Sequence, residues 1–245
     1  MQPLYVLRDP LLDGPTNMAR DEHLLYGELR PAALRLYGWT PPTISLGYFQ
    51  RFADTQTLPA ELRVLPVVRR PTGGGAILHD REITYCLVVD DSLDVARQPP
   101  VALYRLVHEC WRQALAADVP GLTPAAENLP PASPRGGPFF CFEKPGRTDL
   151  LYHGKKLLGS AQRRIPGRVL QHGSLLLGRT FDAHPGASLD DPPAQQVRGW
   201  ADAFVQHLAG ALGLSPQPAA WSGGQVADIS ARRRRYESAS WTRLR

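Results

Sequence analysis

The sequence predicts an α+β fold: a mixed, largely antiparallel sheet flanked by helices, in one domain spanning residues 1–245. Three observations lead there. Strand-like segments cluster along the chain instead of alternating one for one with helices, which argues against a series of βαβ units. Helix-period stripes fall outside those clusters, near the start, in the middle and towards the end. No internal repeat is present, and 43% hydrophobic residues suffice for a packed core.

In order, residues 4–7 (LYVL) read as a short strand. Residues 17–29 read as a helix capped by Asn17, with Asp21 and Glu22 in its first turn and Leu25 and Leu29 on one face. The stretch 34–50 reads as a hairpin broken at Pro41-Pro42. Residues 64–68 and 83–89 are strand-like; in the second, Ile83, Tyr85, Leu87 and Val89 alternate with Thr84, Cys86 and Val88. Residues 101–117 make a helix with Leu103, Leu106, Val107, Cys110 and Ala114 on one stripe. A Pro/Gly loop at 118–138 follows, long enough to suggest a functional segment. Residues 149–162 read as a hairpin turning at His153-Gly154, 169–177 as a strand and 196–213 as a helix carrying Val197, Ala201, Phe204, Leu208 and Leu212.

Composition narrows the function classes. No apolar run reaches the roughly 18 residues of a membrane span, and the N-terminus has no charged-then-apolar leader pattern. The three cysteines lack paired spacing and read as reduced thiols, which implies a cytoplasmic protein. A net charge of +5 suits an acidic partner. No nucleic-acid-binding motif accompanies it, and neither nucleic acid nor membrane is expected as a partner. The four arginines Arg232–Arg235 read either as a solvated helix face or tail, or as a patch that steers acidic partners.

Three stretches carry chemistry. In "RRPTGGGAILHD" (69–80), three glycines follow a strand, with Arg69 and Arg70 placing positive charge at the segment's entrance. Such a backbone either cradles a ligand with its N–H groups or makes a plain turn. It is neither a P-loop nor a dinucleotide fingerprint. In "PFFCFEKPGR", Cys141 ends the Pro/Gly loop with Lys144 and Arg147 close by. A nucleophilic thiol needs thiolate character, access and a nearby cation, and this neighbourhood offers all three; an incidental loop thiol is the alternative. Cys86 and Cys110 lie in a strand and on an apolar stripe and read as core thiols. In "HGKKLLGSAQRR", Lys155 and Lys156 are strand neighbours and face opposite ways. Beside them, Gly159-Ser160-Ala161 is a run of small residues, which in a strand marks close approach of a ligand or another backbone. His172-Gly173-Ser174 interrupts an apolar strand, either as a satisfied core histidine or as part of a site.

"RRPTGGGAILHD", "GKKLLGSAQRR" and "LQHGSLLL", in that order, resemble the lipoate–protein ligase, octanoyltransferase and biotin-ligase superfamily. "NMARDEHLL" (17–25), "RLYGWTPPTISLGYFQ" (35–50), "CFEKPGRTDLL" (141–151) and the C-terminal "RYESASWTRLR" point within it to the LipM-type octanoyltransferases of lipoate assembly. The resemblance implies a biotin/lipoate ligase-like catalytic domain. It also implies Cys141 as the residue that carries the acyl group as a thioester, with Lys156 as its catalytic partner. Substrate contacts are expected from Arg70, Thr72, Gly73, Gly74, Gly75, His79, Gly159, Ser160, Ala161, His172 and Gly173. Gly159-Ser160-Ala161 would leave room for a fatty chain. Thr148 stands where the transferases carry an aromatic, while Asp149 keeps the following acid.

The activity implied is transfer of octanoate from an octanoyl-acyl carrier protein to a lysine of a lipoyl-domain protein, such as a glycine cleavage H protein or an E2 subunit. No cofactor and no metal are expected, and the protein is expected to act as a monomer. Lys156 would lower the Cys141 pKa and stabilise thiolate. An ATP-dependent lipoate–protein ligase would use the same pocket with Mg-ATP and would not need Cys141. An amidotransferase acting between lipoyl domains would share the thiol chemistry.

Overall fold

Residues Glu82–Asp90 form a strand buried at every position, and a strand without a solvent face needs cover on both sides. The computed structural model, which describes residues 1–126, 129 and 137–245, shows how that cover arises. In chain order the strands are β1 (Pro3–Leu12), β2 (Ala32–Trp39), β3 (Thr43–Leu46), β4 (Val67–Arg69), β5 (Ile77–His79), β6 (Glu82–Asp90), β7 (Leu122–Pro124), β8 (Leu150–Tyr152), β9 (Lys155–Ile165), β10 (Arg168–Leu176) and β11 (Ser215–Pro218). The helices are α1 (Gly14–Tyr26), α2 (Ala60–Arg63), α3 (Asp94–Arg97), α4 (Pro100–Leu115), α5 (Ala194–Leu212), α6 (Gly223–Glu237) and α7 (Ala239–Thr242).

Eight strands make one sheet in the order β11-β1-β2-β6-β10-β9-β8-β7. β1 runs parallel to both neighbours and the remaining pairings are antiparallel, as the sequence predicts. On one face, Ile83, Tyr85, Leu87 and Val89 of β6 pack with Leu103, Val107 and Trp111 of α4 and Phe204 and Leu208 of α5. Trp111 and Phe204 stack with ring centroids 3.9 Å apart. On the other face, Cys86 and Val88 meet Met18, Leu24 and Leu25 of α1 and Ile229 and Tyr236 of α6. A smaller sheet, β4-β3-β5, carries the glycine segment between β4 and β5.

Several expected elements move. α1 starts before Asn17: Asp13 is the cap, accepting from the Thr16 amide at 2.9 Å, and Pro15 sits in the first turn, where a missing N–H is harmless. Asp21 and Glu22 therefore lie in the body of the helix. Residues 34–50 are not a hairpin. β2 pairs with β1 and β6, whereas β3 pairs with β4 and β5; Pro41 and Pro42 have no amide protons to continue a ladder, and the chain changes sheets there. The strand read at 64–68 starts at Val67, because Ala60–Arg63 forms a helical turn. The turn at His153-Gly154 is as predicted, with φ of 49° and 75°, the primed geometry that suits a tight hairpin. Part of the long loop read at 118–138 lies outside the described residues, and β7 is in its first half.

The C-terminal segment is stitched to the rest by charge. Arg232 pairs with Glu22 of α1 at 3.6 Å, Arg233 with Asp13 at 2.9 Å, and Arg235 also with Glu22. Only Arg234 of the run is without an ion pair among the described residues, so most of this charge is committed to the α1–α6 interface. Arg69 and Arg70 are buried and do not stand at an entrance. Arg69 donates to the carbonyls of Gly47, Tyr48 and Gln50 at 3.0, 3.1 and 2.7 Å and to that of Thr242 at 2.8 Å. It thereby ties the loop after β3 to α7. We expect Arg69→Ala to strand these acceptors and to destabilise the protein by about 2–4 kcal/mol. That lowers the thermal midpoint by roughly 5–15 °C at this chain length, as differential scanning calorimetry can measure.

Candidate active site

Cys141 is fixed through its backbone. Its amide donates to the Ala76 carbonyl at 2.9 Å, and the Ala76 amide donates to Phe139 at 2.8 Å. This two-rung bridge presses the segment against Gly75, where a Cβ would stand 3.0 Å from the Cys141 nitrogen and 3.2 Å from the Phe139 oxygen. Any larger residue would have to push that backbone back by a few tenths of an ångström. A single 3-10 turn, Cys141–Glu143, follows, with the Glu143 carboxylate accepting from the Phe140 amide at 2.9 Å. Cys141 is partly exposed, whereas Cys86 and Cys110 are buried, as expected for core thiols.

Lys155 is exposed and Lys156 buried, the alternation the sequence implies. The Lys156 ammonium lies 2.8 Å from the Asp149 carboxylate, 3.4 Å from the Cys141 carbonyl oxygen and 4.9 Å from the centre of the Phe142 ring. A Cβ on Gly159 would overlap the end of the Lys156 side chain. The space at Gly159 is thus occupied by lysine, not left for a fatty chain. Ser160 points to the opposite face, where its hydroxyl is 2.6 Å from both Tyr85 Oη and His108 Nε2. Of the small-residue run, only Ala161 lines the neighbouring cavity. Gly173, paired with Ser160, has no room for a Cβ against the Ser160 hydroxyl and the Tyr85 ring.

Protonation differs from the sequence expectation. Burial pushes the Cys141 thiol above its ordinary value; Lys156 and Arg70 pull it down, while Asp149 and Glu82 push it up. Lys156 is held above its ordinary value: burial works against its charge, but Cys141 and Asp149 favour it. The resting pair is therefore a neutral thiol beside an ammonium already matched by a carboxylate. Even at the ordinary pKa of about 8.5 only roughly 3% of a thiol is ionised at pH 7, and Cys141 lies below that. Lys144 and Arg147 are exposed and are not among the groups acting on Cys141.

Beside Arg70 lies a small cavity of about 20 Å³, space for about one water. Met18, Tyr37, Trp39, Ile77 and Ala161 give it apolar walls, and Ser45, Arg70, His79 and His172 give it polar ones. An acyl chain can occupy it only if these walls move. Arg70 donates to the carbonyls of Gly73 and Gly75 at 2.8 and 2.6 Å and to the Thr72 hydroxyl at 3.1 Å. The glycine segment thus turns carbonyls onto Arg70, with Gly74 at φ 93°. His172 reaches Thr72 Oγ1 at 2.7 Å and Asp21 at 2.9 Å. His79 reaches Ser45 Oγ at 2.7 Å and Glu82 at 2.8 Å, and stacks on Trp39 at 3.7 Å.

Cys141, Lys156, Gly75, Gly159 and Arg70 are brought together, and Thr72, His79, His172, Gly73 and Gly74 surround Arg70. Ser160 is turned away. No motif or periodicity of the sequence marks Glu82, and Asp21 reads there only as a helix-start acid. Asp149 was noted as a retained acid, without its partner. Glu82 three residues after His79, across a tight turn, is the signal that could have found that pair.

A mixed sheet covered on both faces, with a glycine segment closing on the Cys141 backbone beside a buried lysine, places the protein in the lipoate–protein ligase class of folds. A lipoate-protein ligase A solved with ATP bound superposes with a TM-score of 0.75 at 18% identity, covering 99% of each chain. A bipartite ligase from Thermoplasma acidophilum gives 0.70 at 18%, covering 99% of this chain and 96% of that one. At such identity the likeness concerns the fold. The model of the lipoyl protein ligase A/B catalytic domain matches residues 13–191, and the chain belongs to that family. It is 43% identical over 171 residues to octanoyltransferase LipM of Kyrpidia tusciae, covering 66% of this chain and 61% of the relative. To that of Moorella thermoacetica it is 39% identical over 207 residues, covering 80% and 72%. The matched part thus spans about 61% of the length of the first of these relatives.

Two measurements follow from this geometry. Gly159→Ala should displace the Lys156 ammonium and reduce reaction at Cys141 nearly as much as Lys156→Ala does, with a stability change under about 2 kcal/mol; an unchanged rate would show that Lys156 does not act from the position described. Alkylation of Cys141 by iodoacetamide should keep rising with pH up to 9. Lys156→Ala should move the profile to higher pH and Lys155→Ala should not, because removing a cation disfavours the thiolate. A plateau below pH 7, or equal shifts in both variants, would contradict the assignment.

Proposed function

We propose that this protein is an acyltransferase that moves octanoate from the phosphopantetheine thioester of an acyl carrier protein, through Cys141, to a lysine of a lipoyl-domain protein. The donor, the acceptor (a glycine cleavage H protein or an E2 subunit), action as a monomer and a cytoplasmic setting are parts of this proposal. The observation that carries it is a partly exposed Cys141, locked by backbone bonds beside Gly75, with the ammonium of the buried Lys156 3.4 Å from its carbonyl oxygen. The names of the relatives support the choice of acyl group.

In the first half-reaction Cys141 Sγ bonds to the thioester carbonyl carbon, and the carbon–sulfur bond to the pantetheine arm breaks. The proton leaving Cys141 ends on the departing thiolate. In the second, the nitrogen of the neutral acceptor amine bonds to the acyl carbon, the bond from that carbon to Cys141 Sγ breaks, and the amine's surplus proton returns to the Cys141 sulfur. Lys156 keeps its proton throughout and supplies charge to the sulfur and carbonyl oxygen as they become anionic. Because burial keeps the resting thiol neutral, its proton must leave as the Sγ–carbon bond forms, with the Lys156 charge offsetting the negative charge that develops. Neither half-reaction consumes ATP, and ping-pong kinetics are expected.

The test is intact mass after mixing with octanoyl-carrier protein in the absence of ATP. A hydroxylamine-sensitive octanoyl adduct is expected on the native protein and should be missing in Cys141→Ala, which keeps its fold. Lys156→Ala should slow adduct formation by about 10²–10³-fold. Transfer that proceeds fully in Cys141→Ala, or only with lipoate and ATP, would sink the proposal; the latter result identifies a ligase.

A further inference from the structure

Arg70 is a buried guanidinium whose direct partners are all neutral: the Ser45 carbonyl and hydroxyl, the Thr72 hydroxyl and the carbonyls of Gly73 and Gly75. Burial brings its pKa down to about 10. The contrast with Arg35 is informative. Arg35, equally buried, is matched directly by Asp9 and Asp21. No carboxylate touches Arg70 among the described residues.

Two carboxylates nevertheless reach it, each through a histidine and a hydroxyl. On one side Glu82 binds His79 Nδ1 at 2.8 Å, His79 Nε2 binds Ser45 Oγ at 2.7 Å, and Ser45 Oγ accepts from Arg70 Nη1 at 3.3 Å. On the other, Asp21 binds His172 Nδ1 at 2.9 Å, His172 Nε2 binds Thr72 Oγ1 at 2.7 Å, and Thr72 Oγ1 accepts from Arg70 Nε at 3.1 Å. The order of groups sets the direction of each chain. A carboxylate at Nδ1 selects the tautomer with its proton there. Nε2 then accepts from the hydroxyl, and the hydroxyl's lone pairs are free for the guanidinium. Both carboxylates are themselves anchored, Glu82 by Thr84 and by Ser174 at 2.8 Å, Asp21 by Tyr37 at 2.8 Å and Arg35 at 2.7 Å.

We infer that Glu82 and Asp21 are positioning residues, acting through these two chains to hold Arg70 as an unneutralised cation beside Cys141. The guanidinium's second nitrogen binds Gly75 O at 2.6 Å, and Gly75 abuts the Cys141 backbone. Fixed there, it meets the negative charge that develops at the Cys141 thioester, and it does so without reorganising. A carboxylate placed directly on Arg70 would hold it equally well but cancel its field. The part played in acyl transfer rests on the function proposed above; the hold on Arg70 does not.

Sign separates this role from simple electrostatics. The charged groups acting on the Cys141 thiol are Lys156, Arg70, Asp149 and Glu82, and Arg70 in turn faces Tyr104 and Arg69. Glu82 by its own charge pushes the thiol up. Neutralising it must therefore move the Cys141 alkylation profile to lower pH if charge is all it contributes. If it positions Arg70, the profile moves to higher pH. The experiment compares wild type, Glu82→Gln, Asp21→Asn and Ser45→Ala, each alone and with Arg70→Lys, in the full chain, with alkylation mapped to Cys141 by peptide mass. Expected are upward shifts of about half a pH unit or more in all three single variants, and none beyond that of Arg70→Lys when combined with it. Acylation by the octanoyl thioester of N-acetylcysteamine should fall about tenfold in its maximal rate with little change in half-saturation. A downward shift in Glu82→Gln, or effects that persist undiminished in the Arg70→Lys background, would overturn the inference. Ser45→Ala keeps every carboxylate and decides the matter if Asp21→Asn, which also frees Arg35, does not fold. Should wild type form no acyl-enzyme, the function proposed above fails, while the alkylation arm still decides the role of Glu82.

Discussion

The central strands β6 and β10 have no solvent face, and most of what is distinctive here follows from that constraint. Their hydrophobic side chains form the two helix-covered cores. Their polar side chains, with water shut out, must find partners inside the protein, because an unpaired buried polar group costs about 1–3 kcal/mol. Glu82, Thr84, Gln171, His172 and Ser174 lie on these strands and each makes at least one hydrogen bond, although Glu82 Oε2 and Arg168 Nε find no partner among the described residues. The result is a web that fixes groups on the site side of the sheet far more tightly than a solvated surface would.

The site itself is built by close approach. Glycine at 75 lets the segment bearing Cys141 dock edge-on, and glycine at 159 lets the Lys156 side chain lie along its own strand. Both positions give up a side chain, one to the Cys141 backbone and one to the end of the Lys156 side chain. Burial then keeps the thiol protonated and the ammonium matched by Asp149. The two cations near the sulfur are treated differently: one has a direct counter-charge and the other has only neutral partners.

The C-terminal helices belong to the same economy of placement. α6 lies on α1 through the Arg232, Arg233 and Arg235 pairs, and α7 brings backbone carbonyls to Arg69. Arg69 also grips the loop after β3, whose Tyr48 amide donates to the Thr72 carbonyl at 2.8 Å. The end of the chain thus supports the glycine segment from behind, over a distance in sequence of about 170 residues.

Much of this was legible in the sequence. Strand alternation separated Lys155 from Lys156 and assigned Cys86 to a core, and the order of the glycine, lysine and histidine segments carried the resemblance that points to Cys141. Local periodicity and residue chemistry suffice for such readings, since they depend on neighbours within a few positions. The chain's change of sheet at Pro41-Pro42, the occupation of Gly159 by lysine and the turning away of Ser160 depend on which segments meet in space. So do the Asp149–Lys156 pair and the convergence of Glu82 and Asp21 on Arg70. The raised Cys141 pKa was out of reach for the same reason. Desolvation is set by everything packed around a group, and a sequence shows only what is bonded next to it.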